Sequence, residues 1–132
     1  MVDATAYLRE FKWCRRVVEI WPGIMVPPVL GVALARIDPA EGADEWLWVV
    51  VGDLPPAYLD YTERYTPNAA CALDSYVGIM TEWIEGVIGG TSLLDTYPVE
   101  AEPTRENALL LRRRLDFIDE NILVNRRHDL RT

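Results

Sequence analysis

A chain of 132 residues, half of them apolar and 26% charged, is the size of one domain and can bury roughly two thirds of its unfolded surface without a metal or disulfide staple. That composition excludes a disordered chain. Apolar runs no longer than Ile24 to Leu30 and Trp46 to Val51 exclude a membrane-spanning helix, which needs about 20 such residues.

The amino-terminal stretch MVDATAYLREFKW lacks a basic start followed by a hydrophobic segment, so no export signal is read and a cytoplasmic location is expected. Asp3 can cap a first helix running to about Trp21, on which Ala4, Leu8, Phe11, Cys14, Val18 and Trp21 recur at helical spacing. Pro22 and Gly23 would stop it. Residues 29 to 37, VLGVALARI, and residues 46 to 54, WLWVVVGDL, read as an antiparallel hairpin with a long polar loop between them. The second strand is apolar on both faces, so each side should be covered, and Trp48, Val49, Val50 and Val51 are expected in the core. Residues 55 to 67 read as an aromatic connector with a helical turn at AYLDYTERY.

Asn68 then caps a long helix to about Ile88, closed by Gly89 and Gly90. Its stripe of Ala72, Leu73, Tyr76, Met80, Trp83, Ile84 and neighbours lies opposite Asp74, Gly78, Glu82 and Glu85. TSLLDTYPVEAEP is an ordered loop. A third helix from about Pro103 to Val124 buries Ala108, Leu111, Leu115, Ile118 and Ile122, with Arg112, Asp116 and Glu120 as an ion ladder outside, and a frayed tail begins at about residue 125. The expected fold is a single α+β domain, three main helices packed on a small antiparallel sheet in the order α-β-β-α-α. Two strands alone are marginal, so a third from IMVPP or YPVE completes the sheet, or two subunits pair their sheet edges as a homodimer.

Charge is concentrated in the middle of the chain. Between residues 38 and 102 thirteen acidic side chains stand against one basic side chain, Arg64, a net of −12. Such a field repels a phosphate backbone, which disfavours nucleic acid despite Arg112, Arg113 and Arg114, and attracts a basic protein. One histidine, His128, and two cysteines 57 positions apart do not make a zinc site. Cys14 and Cys71 are expected as small buried hydrophobes without a disulfide. There is no GxSxG elbow, no GxGxxG and no GxxxxGK[ST], so no catalytic residue, metal or cofactor is expected. A solvated face is the simpler account of Asp74, Glu82 and Glu85, and turn formation accounts equally for Asp53 and Asp60.

The aromatics carry more information. Tyr58, Tyr61 and Tyr65 on the connector, beside Asp53, Asp60 and Glu63, form the kind of amphipathic surface on which rigid rings anchor a partner, although packing over the sheet would also explain them. Together with Asp74, Glu82 and Glu85 they make up the expected partner-binding set.

WLWVVVGDLPPAYL, with LDSYVGIMTEWIEGV and RRRLDFIDENIL, resembles a family of small uncharacterised bacterial proteins over most of the span from Pro22 to Leu123. The chain is also similar in character to immunity proteins encoded beside secreted antibacterial toxins. That resemblance implies a cytosolic binding protein that neutralises a basic toxin by protein contact, and it supplies no catalytic residue. The alternative is a homodimeric metabolite-binding protein or small enzyme with a pocket between sheet and helices, suggested by Trp46, Trp48 and Trp83. A structural subunit of a larger assembly is a third.

Overall fold

A computed structural model describes residues 2–130, the side chain of Val2 excepted. Met1 and the last two residues of the expected frayed tail, Arg131 and Thr132, lie outside the described residues. The fold is α+β, with a four-stranded antiparallel sheet and helices. In chain order the elements are α1 (Val2–Arg9), β1 (Cys14–Val26), β2 (Leu30–Pro39), β3 (Glu45–Gly52), β4 (Ala57–Asp60), α2 (Ala69–Gly89), α3 (Arg105–Asn121), a 3-10 turn (Leu123–Arg126) and α4 (Arg127–Leu130). Contacts cluster into two compact units, one up to Leu73 and one from Asp74 onward.

The sheet unit is an uninterrupted meander, β1-β2-β3-β4. Pairing of Ala35 with Leu47, Ala33 with Val49 and Val49 with Tyr58 sets one face of the sheet. Onto that face α1 lays Ala4 and Leu8, one helical turn apart and both fully buried, against Ala35, Ile37, Leu47 and Val49. The opposite face carries Val32, Trp48, Val50 and Ala57, also buried. Trp48, Val49, Val50 and Val51 are therefore core, as their apolar run requires. Part of the cover over Trp48 is the connector after β4. Its indole Nε1 donates to the Thr66 carbonyl at 2.8 Å, and its ring lies 6.3 Å from that of Tyr61.

The first helix is much shorter than its spacing predicts, and the element order differs accordingly. It ends at Arg9, and residues 14–26 form the longest strand. The reason lies in two β-bulges. Cys14, Val17 and Ile20 pair with Pro39, Ile37 and Ala35, so three residues of β1 span each two of β2. A bulge adds one residue to the ordinary period of two. Side chains on one face of β1 thus recur every third position, which imitates a helix. Val17, Val18, Ile20 and Trp21 nonetheless favour a pleated strand through their branched and aromatic side chains. Pro22 is tolerated because β1 is an edge strand. Its three register shifts and its Arg15, Arg16 and Pro22 are also the features that blunt an edge against adding a further strand.

β4 replaces the helical turn expected at AYLDYTERY, pairing Ala57 with Val50 and Asp60 with Leu47. YPVE contributes no strand. The β3 end is fixed by Gly52 at φ 141°, where an added Cβ would lie 2.3 Å from the Val29 carbonyl oxygen and 2.6 Å from the Leu30 Cα.

α2 and α3 form where the helical spacing predicts them, α3 ending a few residues early at Asn121. Asn68 caps α2, accepting from the Cys71 N–H at 2.9 Å, and Gly90 at φ 67° ends it with the Thr91 N–H bonded to the Gly86 carbonyl. Tyr76, Met80 and Ile84 are fully buried. Burial, followed by the field of Tyr97, pushes the Tyr76 phenol well above its ordinary pKa. Thr104 caps α3, whose Ala108, Leu111, Leu115 and Ile118 are buried together with Ile122 beyond its end. The ion ladder is absent: among the described residues Arg112, Asp116 and Glu120 make no ion pair. Beyond α3 the chain continues through the 3-10 turn into the single helical turn of α4, where frayed chain is expected. No described helix is long and apolar enough to cross a membrane.

Candidate functional site

At the end of the sheet where α1 hands over to β1, the chain forms an open cleft of about 420 Å³. Trp13, Pro39, Ala40, Glu41, Glu45, Leu47, Tyr58 and Asp60 line it. The register accounts for this assembly. Glu45 stands opposite Ile37, Tyr58 opposite Val49 and Asp60 opposite Leu47, so Glu45, Leu47, Tyr58 and Asp60 share the face that α1 packs on. The loop after β2 brings Glu41, and the short link between α1 and β1 brings Trp13.

The rings form a connected group. Trp13 and Tyr58 have centroids 5.0 Å apart at 58°, and Phe11 stacks on Trp13 at 5.0 Å while meeting Tyr58 edge-on at 5.2 Å. Tyr7 closes the group edge-on against Phe11. Four aromatic side chains from α1, its exit and β4 therefore hold one another, and Tyr58 and Trp13 border the cleft as a rigid wall.

Charge in the cleft is of one sign. Among the described residues no Lys, Arg or His lines it, and Glu41, Glu45 and Asp60 have no ion-pair partner. Two basic groups nearby in sequence, Arg15 and Arg36, are engaged elsewhere. Arg15 pairs with both carboxylate oxygens of Asp38, at 2.9 and 3.0 Å, and Arg36 is shared between Glu19 and Asp44. Among the described residues no three His, Cys, Asp or Glu side chains are placed to hold a metal ion.

The expected partner-binding residues divide between the two units. Tyr58 and Asp60 line the cleft. Asp53, Glu63 and Tyr65 are exposed in the same unit, Tyr65 at 67% with the Arg64 guanidinium 5.1 Å from its ring centre. Tyr61 is half-buried and lies against Trp48, whose side of the sheet is the opposite one. The three connector tyrosines thus point into three different surroundings. Asp74, Glu82 and Glu85 are all exposed on α2, in the second unit. There Asp119 of α3 has its carboxyl raised by desolvation, with Asp74, Asp116 and Glu120 adding to the effect.

Comparison of the chain with known protein families, with curated proteins and with solved structures gives no match. The site therefore rests on its own geometry.

Sequence reasoning missed Trp13, Glu41 and Glu45. Trp13 sat inside the segment read as helix, and the two glutamates sat in a loop read as polar spacer. Of the tryptophans that suggested a ligand pocket, Trp48 and Trp83 are buried and Trp46 is 38% exposed, and none of the three lines the cleft. A second surface feature also went unread. Trp21, 59% exposed, donates its indole N–H to Glu19 at 3.0 Å, and Arg36 lies 5.9 Å over Trp46. Those donors and the indole hold the Glu19 carboxyl below the usual range, Trp21 first and Arg36 next. Unlike the cleft, this feature contains a basic side chain, Arg36.

Proposed function

We propose that the chain is an acidic binding protein that receives a basic protein partner on the cleft end of its sheet unit, in the manner of an immunity protein that neutralises a cationic toxin. The observation that carries this reading is the cleft itself. Three carboxylates without ion-pair partners and two immobilised rings line one open depression that holds no basic side chain among the described residues. Carboxylates so placed raise the encounter rate with a cationic surface and reject anionic competitors. Rings already locked by their neighbours lose little further freedom when a partner arrives. Asp53, Glu63 and Tyr65 are exposed elsewhere in the same unit, Asp53 beyond the end of β3 opposite to the Glu45 end, and do not line the cleft. Asp74, Glu82 and Glu85 are exposed on α2 in the second unit and carry the same sign of charge. The likeness in character to immunity proteins points the same way, and the cytoplasm is the location that goes with the role.

The test is capture on the immobilised chain from an extract of the organism that encodes it, followed by reconstitution from the two purified proteins. The expected partner is basic, and its affinity falls roughly tenfold or more between about 50 and 500 mM salt. An acidic partner, a salt-independent affinity, or a metabolite retained in place of a protein contradicts the proposal.

A further inference from the structure

Resting on that reading, we infer that the cleft bordered by Trp13 and Tyr58 is a receptor for a single arginine side chain of the basic partner. Its volume of about 420 Å³ falls at the small end of the range for ligand pockets, about 300–1,000 Å³, which suits one extended side chain better than a folded segment.

The lining selects the ligand chemistry. Leu47 is only 3% exposed and offers an apolar floor, and the rings offer π-faces, so the stem of a long side chain can be covered while its head remains polar. Glu41, Glu45 and Asp60 come from a loop and two different strands, and among the described residues no set of acidic groups converges closely enough to chelate a metal. Carboxylates spread around a depression match a cation with several separated donors. A guanidinium carries five N–H donors in a planar fork, whereas an ammonium is a compact point charge.

The ring geometry fixes how it would lie. A flat group sandwiched between two rings needs about 7 Å between them, twice the ordinary contact distance. Trp13 and Tyr58 are 5.0 Å apart and tilted by 58°, so they leave no slot. The guanidinium instead stacks on the cleft side of one ring, within the roughly 6 Å at which cation–π attraction acts, and turns its edge to the carboxylates. Phe11 braces both rings from behind and keeps that wall in place.

The test uses the full chain and a blocked tripeptide, acetyl-Gly-Arg-Gly-amide, followed by 15N-resolved NMR at the Trp13 indole N–H. Saturable shifts in the millimolar range are expected, as a single side chain supplies no more. The citrulline peptide, a neutral near-isostere, should give none, and the lysine peptide should bind at least threefold more weakly. Tyr58→Leu and the pair Glu45→Gln with Asp60→Asn should each weaken binding about tenfold. The carboxylate variants change only exposed positions, so they remain informative if Tyr58→Leu fails to fold. No saturable shift, equal binding of arginine and citrulline peptides, or free arginine binding tenfold more tightly than the blocked peptide would each overturn the inference, the last by making the cleft a metabolite site. Absence of arginine-peptide binding by the parent chain, while that chain keeps salt-dependent binding of the basic protein, would sink the arginine receptor alone. Loss of the protein partner's salt dependence would sink the docking reading.

Discussion

The indole N–H of Trp48 donates to the backbone carbonyl of Thr66 across 18 residues, at 2.8 Å and in a buried setting. That bond ties the connector to the middle of the sheet. Thr66 reinforces it, donating its hydroxyl to the Asp60 carbonyl and accepting from the Thr62 N–H, both at 2.8 Å. Trp48→Phe keeps most of the ring and leaves the Thr66 carbonyl unpaired. It should cost about 1–3 kcal/mol in chemical denaturation, the usual penalty for a buried polar group stripped of its partner. A loss within error of zero would mean that the connector is not held this way.

Gly52 is a second fixed point. Its φ of 141° is strained for any side chain, and a Cβ there meets the backbone of Val29 and Leu30. Gly52→Ala should therefore destabilise by more than the about 1–3 kcal/mol of backbone strain alone, because neither clashing group is the end of a flexible side chain. Urea unfolding measures it. Gly42, also at positive φ but with open space around it, is the control and should lose less.

The attachment of α1 rests on Ala4 and Leu8. Leu8→Ala removes a fully buried side chain and should cost about 2–5 kcal/mol. If α1 positions the Phe11–Trp13–Tyr58 wall, the same variant should also broaden the Trp13 indole signal. Full stability with an unchanged signal would separate the helix from the wall.

Two carboxylates should respond to acid in opposite senses. Glu19 has its folded pKa lowered, so its stabilisation is in place above the ordinary carboxylate range and disappears as pH falls through the folded value. Glu19→Gln should lower Tm at pH 7, with the gap to the parent closing in acid.

Asp119 has its folded pKa raised, so the fold is favoured when it is protonated and loses that advantage as pH rises through the folded value. Asp119→Asn should raise Tm at neutral pH by on the order of 1–2 °C, the size expected for relief of a like-charge helical neighbour. The difference should vanish below the carboxylate range.

The parts of the fold with a single period were legible. α2 and α3 follow one helical stripe, and the cap of α2, Asn68, was readable, whereas the cap of α3, Thr104, was not picked out. β3 announces itself as an apolar run because both faces of the sheet are buried there. β1 was hidden because its bulges place Cys14, Val17 and Ile20 on one face at intervals of three, and local spacing cannot distinguish a bulged strand from a helix. β4 was hidden because four residues between Pro-Pro and a turn carry almost no periodic signal. Most of the cleft was hidden with them. Tyr58 and Asp60 could be picked out as an aromatic beside an acid, but Trp13, Glu41 and Glu45 join them only through the register of β1, β2 and β3, which pairs residues far apart in the chain.

The central claim is that the unpaired carboxylates of the cleft draw in a basic protein. It is tested most directly by measuring the association rate of the purified partner with the parent chain and with the triple variant Glu41→Gln, Glu45→Gln, Asp60→Asn, at low and at high salt. The account predicts a slower association for the variant, by roughly tenfold at low salt, with an unchanged Tm and a difference that shrinks as salt is added. Equal rates for the two proteins at low salt would contradict it.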